Sequence, residues 1–196
     1  MNIEQMNKIS VNDDAPVPFW ASVRDDLVAH VPPDMRNMSL WQWAWTILRL
    51  VLFSSGFHAI LIYRIGHTGR EHLGILGKVI ASAFFWFGRH WYGCAISPVA
   101  RIYGGIILPH PQGIVIGPNV LVGPRAWIFQ NVTIGGAPGK VGMPRIGADS
   151  RIYTGAVIAG PIRLGSNVVV GTNAVVFCDV PDKTTVRPAL PTMSSL

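Results

Sequence analysis

After position 90 the chain holds a single histidine, His110, set in Leu108-Pro109-His110-Pro111-Gln112-Gly113 with a proline on either side. A neutral imidazole near pH 7 can take a proton from an attacking hydroxyl, so His110 is a candidate general base. A second candidate is the stretch Gly135-Gly136-Ala137-Pro138-Gly139-Lys140-Val141-Gly142-Met143-Pro144, followed by Arg145. Its backbone N–H groups are unhindered by side chains and two cations lie within it or beside it, which suits a phosphate-rich ligand approaching the main chain closely. The solitude of His110 in this half excludes a metal centre that draws several imidazoles from it. Cys94 and Cys178 lie far apart, outside any zinc or disulfide spacing. No metal is expected.

The elements that must position these residues announce themselves by a period of six. Every sixth residue reads Ile96, Ile102 and Leu108, then after a shift of two Ile116, Val122, Ile128 and Ile134, then Ile146, Ile152, Ile158, Leu164, Val170 and Val176. Glycine often follows the aliphatic residue, and a small or branched residue such as Ala100, Ala126 or Ala174 recurs four places after it. Such a period describes one flat side of a triangular coil, with the aliphatic residue pointing inward and the small one filling the corner. The fold class this predicts is mainly β: a left-handed parallel β-helix of hexapeptide repeats with an N-terminal α-helical region. The register breaks at two places, the Pro109–Gly113 segment and the loop at 136–145, and both hold the candidate chemistry.

Ahead of the coil the sequence divides into a polar arm at 1–18 and a helical region at 19–93, in which Val23, Leu27 and His30-Val31 suggest one amphipathic helix. Pro32-Pro33 break it, and Ser39 can cap a helix entering at Leu40. The coil is expected over 94–183, and 184–196 form a C-terminal tail. Leu40–Ile65 approaches the length of a membrane span, but Arg49, His58 and Arg64 interrupt it, which favours a buried or interfacial amphipathic helix.

The formal charge is +6, and five of those charges belong to residues 96–196, where eight Lys/Arg face three Asp/Glu. An anionic ligand is therefore expected on the coil. Basic residues are not clustered with aromatics, which argues against nucleic acid. The start lacks a basic segment leading into an apolar run, so no secretory signal is expected. The expected location is the cytoplasm, with the Trp-rich segment a candidate for peripheral contact at the inner face of the membrane.

Ser55-Gly56-Phe57-His58-Ala59-Ile60, Tyr63-Arg64-Ile65-Gly66-His67, Pro109-His110-Pro111-Gln112-Gly113-Ile114-Val115-Ile116-Gly117 and Val132-Thr133-Ile134-Gly135-Gly136 together resemble the serine acetyltransferase family over about residues 50–190. The resemblance implies an acetyl-CoA-dependent O-acetyltransferase that works as a homotrimer or a dimer of trimers, with acetyl-CoA in the groove between adjacent subunits. His110 matches the family's catalytic base. Gly136, Ala137 and Lys140 in the loop and Gly155, Ala156 and Thr172 along the coil would line the pantetheine groove, and Arg187 would meet a CoA phosphate.

The sequence also departs from that family. Its pattern has an Asp in the segment that reads Ala95-Ile96-Ser97-Pro98 here, and a second where Pro109 stands; its Arg-His-Pro reads Gly142-Met143-Pro144. A backbone carbonyl or a water is left to orient His110. An amino acid carries two charges that need partners, whereas a sugar hydroxyl carries none. The acceptor expected from the sequence is therefore a glycan of exopolysaccharide, capsule or lipopolysaccharide biosynthesis. Serine is the first alternative, and a catalytically silent β-helix serving as an interaction partner is the second.

Overall fold

The computed structural model of the protein describes residues 17–31 and 39–189. Most of the polar arm, Pro32-Pro33 and the end of the tail lie outside the described residues. Among the described residues four helices precede the coil: α1 (Phe19–Ala29), α2 (Leu40–Phe53), α3 (Ser55–His72) and α4 (Gly74–Trp91). Ser39 starts α2 through a reciprocal cap, its Oγ accepting from the Gln42 N–H at 3.4 Å while its own N–H donates to Gln42 Oε1 at 2.8 Å.

Thirteen short strands then wind into three parallel sheets. The first is β1 (Ala95–Ile96), β3 (Val115–Ile116), β6 (Thr133–Gly135), β9 (Val157–Ala159) and β12 (Val175–Val176). The second is β2 (Arg101–Ile102), β4 (Leu121–Val122), β7 (Arg145–Ile146) and β10 (Arg163–Leu164). The third is β5 (Trp127–Ile128), β8 (Arg151–Ile152), β11 (Val169–Val170) and β13 (Thr185–Val186). This is the parallel β-helix expected from the period of six.

The ladder explains itself physically. Ile116 pairs with Ile134, and Ile158 with Val176, each 18 residues on, so a turn is three sides of six. All thirteen ladder residues are buried, along with the small residues at the corners. Many corners turn on a residue with positive φ, three places after a ladder position at Asn119, Arg125, Asn131, Asp149, Asn167 and Asn173, and three after Val180 at Lys183. Five of these seven are Asn or Asp, the side chains that best tolerate the left-handed region. Glycine one place after the ladder residue has a different cause. A Cβ on Gly147 would stand 2.5 Å from the Gly165 backbone of the next turn, so close stacking of turns forbids it.

The helices are fastened to the first turn by a buried ion pair. Asp26 of α1 accepts from Arg64 Nε at 3.0 Å and from the Ile106 N–H at 2.9 Å. Arg64 of α3 also donates to the carbonyls of Ile102 and Tyr103. Burial pushes the Asp26 carboxyl above its usual range, against the pull of the Arg64 guanidinium. Tyr63 adds a hydroxyl that donates to the Ala100 carbonyl at 2.8 Å and accepts from the Ile102 N–H. Leu27 of the apolar series read from the sequence packs half-buried against the core and Val31, just past the helix, is buried, while the fully buried residues of α1 are Ser22 and Asp26. The reason is that α1 meets polar coil backbone: a Cβ on Gly104 would lie 3.0 Å from Ser22 Cα.

Among the described residues no single helix is long and apolar enough to cross a membrane; α2 and α3 together pass that test but are bent by 83°.

Candidate active site

Both register breaks are absorbed as corner insertions. Ile96 pairs with Ile116, 20 residues on, so the turn holding His110 carries two extra residues. Ile134 pairs with Ile158, 24 residues on, so the turn holding the glycine-rich loop carries six.

His110 sits where the third side passes to the first, between the Ile107 bridge to Trp127 and β3. Its side chain is exposed. Among the described residues no side chain and no backbone carbonyl is hydrogen-bonded to it, so the carbonyl expected to orient the ring is not there. Nor, among the described residues, is any carboxylate hydrogen-bonded to it in place of the two missing ones. Asp26 is held by Arg64, Asp149 by Arg125 at 2.6 Å, Asp179 by the Arg163 N–H and Asp182 by the Ser166 N–H, both at 2.8 Å. Ala95, at one vacant carboxylate position, lies in β1 paired with Val115.

The same edge carries three of the other expected residues. The Asn131 N–H donates to the Gln112 carbonyl, the Gly155 N–H to Gln130, and the Asn173 N–H to Thr154, so Gly155 and Thr172 lie in a column running away from His110. Arg187 follows β13, where the Gly171 N–H reaches the Val186 carbonyl, and so ends that column. Ala156 is a correction: it is fully buried and fills the corner, so its side chain cannot line a groove. Gly155 has a structural cause of its own, since φ is +70° and a Cβ there would meet Asn173 Oδ1.

Gly136, Ala137 and Lys140 lie at the next corner, between the first and second sides. The Lys140 N–H closes a turn onto the Ala137 carbonyl at 3.1 Å, and the loop folds down on the following turn, with Ala137 and Lys140 over Gly160 and Gly142 against Pro161. Beside it opens a cleft of about 560 Å³, bordered by Asn119, Gly142, Met143, Pro161 and two arginines, Arg145 and Arg163. These arginines are register partners on β7 and β10. Their spacing is one turn of the coil, so the six-residue ladder already sets Arg163, a residue outside the sequence motifs, beside Arg145.

Between the two edges runs the outer face of the first sheet. Its register column is Ala95, Val115, Thr133, Val157 and Val175, with no charged residue in it. The corresponding column of the second sheet is Arg101, Leu121, Arg145 and Arg163. One edge thus offers a base, the other offers amides and cations, and the side between them is neutral. An extended ligand with an apolar arm and an anionic end is matched by such a surface.

A three-sided coil of this period places the chain among hexapeptide-repeat transferases, and residues 143–178 match the bacterial transferase hexapeptide family. It is 36% identical over 146 residues to a serine acetyltransferase of Bacillus pumilus, covering 73% of this chain and 65% of that protein. It is 37% identical over 142 residues to that of Escherichia coli K12, covering 69% of this chain and 49% of the relative. The crystal structure of Neisseria gonorrhoeae serine acetyltransferase in complex with serine superposes with a TM-score of 0.70 at 32% identity, over 90% of this chain and 68% of that one. The chain belongs to the serine acetyltransferase family. It spans just under two thirds of the length of the Bacillus relative and about half that of the Escherichia one.

These relatives overturn the glycan acceptor expected from the sequence, and with it a place in polysaccharide biosynthesis; they support the serine alternative. The expectation weighed only the family's own motif positions, Ala95-Ile96-Ser97-Pro98, Pro109 and Gly142-Met143-Pro144. The coil brings Arg145 and Arg163 to the same place from neighbouring strands.

Proposed function

We propose that this chain is an acetyl-CoA-dependent serine O-acetyltransferase. His110 removes the hydroxyl proton of serine as its oxygen attacks the thioester carbonyl. The acetyl group passes from the CoA sulfur to that oxygen, and the proton leaves with the CoA thiol. Backbone N–H groups at the Gly135–Gly136 corner steady the developing oxyanion. The pantetheine arm lies along the uncharged Val115, Thr133 and Val157 column, beside Gly155 and Thr172. Lys140, Arg145 and Arg163 meet anionic groups at one edge, and Arg187 does so at the other. What carries this reading is the neutral strand column between the edge of His110 and the edge of the loop.

Because the column separates them, His110 and the loop of one chain do not face each other across an open cleft. A homotrimer that sets the His110 edge of one copy against the loop edge of the next completes the site, and a dimer of trimers would keep it. The enzyme works in the cytoplasm, where both free cysteines suit a reducing medium.

The test is thiol release from acetyl-CoA in the presence of L-serine. Release that depends on serine supports the reading; release at the rate of bare hydrolysis with serine at saturation overturns it. One variant reads the altered pocket. Met143→His restores an imidazole beside the cleft and is expected to raise kcat/KM for serine about tenfold. Gly142→Arg is a poor choice, because a Cβ there meets Pro161 Cβ at 2.7 Å and φ is +118°.

A further inference from the structure

Helix α2 buries none of its residues. Trp43, Thr46 and Leu50 are half-buried on the side towards the rest of the chain, and nearly everything else, including Trp41 at 86% exposure and Phe53 at 80%, is open. Helix α4 packs on α3 through the small residues Gly77, Ala81 and Gly88. A Cβ on Gly77 would stand 1.8 Å from the Gly69 carbonyl oxygen, so the two helices touch backbone to backbone. That contact turns Leu76, Trp86 and Trp91 outward. His58 ties the two apolar faces together, its Nε2 donating to the Val51 carbonyl at 2.5 Å and its Nδ1 accepting from the Tyr92 hydroxyl at 3.1 Å.

Five of the seven tryptophans fall between positions 41 and 91, and the sole acidic residue from 40 to 91 is Glu71. Arg49, Lys78 and Arg89 are exposed on the same helices. We propose that the tryptophan-bearing, cation-rimmed face of α2 and α4 seats on an anionic phospholipid surface. Tryptophan prefers the boundary between headgroups and acyl chains, and basic side chains reach from an apolar face to anionic headgroups. A helix of 14 residues is about 21 Å long, short of the hydrocarbon core of about 30 Å, so α2 lies on the bilayer and does not cross it. A second copy is a worse occupant on charge grounds. A two-fold contact through this face would set Arg49, Lys78 and Arg89 against their own images with no acidic partner on either helix.

This inference does not rest on the acetyl-transfer reading, because its readout is binding without substrate. The full chain is sedimented with vesicles of phosphatidylcholine and phosphatidylglycerol, and with phosphatidylcholine alone. The expected result is binding to the anionic vesicles with a blue shift of tryptophan emission. Lys78→Gln and Arg89→Gln, both solvent-exposed, should each weaken binding about fivefold. Trp41→Ser with Trp45→Ser should reduce the blue shift, leaving the part due to Trp86 and Trp91, while circular dichroism stays unchanged. A chain that remains in the supernatant with anionic vesicles overturns the proposal. So does a particle mass that halves on Trp86→Ser with Trp91→Ser while vesicle binding is untouched, since a second copy would then cover the face.

Discussion

Among the described residues His110 has no carboxylate to hold its ring, so its loss should be felt in chemistry and not in folding. Removing an exposed side chain that makes no hydrogen bond in the chain leaves no buried group unpaired. His110→Ala is expected to lower kcat for acetyl transfer by a factor of about 100 to 10,000 with an unchanged melting temperature, the range for a lost general base. Full activity in that variant would remove the base from the scheme. The two cysteines give a second residue-scale prediction. Burial pushes the Cys94 thiol up to about 12, while Cys178 is exposed. One thiol per chain should react quickly with a disulfide reagent at pH 8 and the second only on unfolding. The sign for stability follows: between the ordinary thiol value near 9.0 and the raised one, the unfolded chain has lost a proton that the folded chain keeps. Stability contributed by Cys94 is complete below pH 9 and declines as pH rises from there towards 12.

At the scale of elements, the coil and the helices were legible to different degrees, for different reasons. The ladder from Ile96 to Val176 repeats one physical demand thirteen times, burial of an aliphatic side chain at the centre of a flat side, so its pattern survives in the sequence. Replacing one rung should therefore cost what a cavity costs, and Ile152→Ala is expected to destabilise by about 2 to 5 kcal/mol in urea unfolding. His110 stood out in the sequence because it broke that pattern. The polar attachment of helix α1 was not legible because the partner of Asp26, Arg64, lies 38 residues away; no local period records such a contact. Arg163 was hidden similarly, since only the stacking of turns shows that it neighbours Arg145. The α1 attachment has its own test. Asp26→Asn leaves Arg64 charged, buried and poorly paired, and should destabilise by about 3 to 5 kcal/mol. A loss below about 1 kcal/mol would show that α1 is not fastened by this pair.

For the whole molecule, the decisive question is whether one chain holds a complete site. His110 and the loop occupy the two borders of the first sheet, and Val115, Thr133 and Val157 lie between them. A flat strand face is not a cleft, so a ligand there is open to water on its outer side, and thioester attack gains from a closed, desolvated site. A neighbouring copy laid on that face supplies the missing wall, and a cyclic arrangement repeats the contact at every copy. Mixing two inactive variants tests this. His110→Ala lacks the base but keeps the loop. Gly136→Asp with Lys140→Glu sets anions where the ligand is anionic but keeps His110, and the Cβ added at 136 meets only the flexible end of Met143 at 3.3 Å. In randomly mixed oligomers, about one interface in four joins an intact His110 edge to an intact loop edge, so about a quarter of the parent activity should return. Separate chains mixed without subunit exchange should stay inactive. If exchange is verified and no activity returns, both edges act within one chain and the outer wall comes from elsewhere.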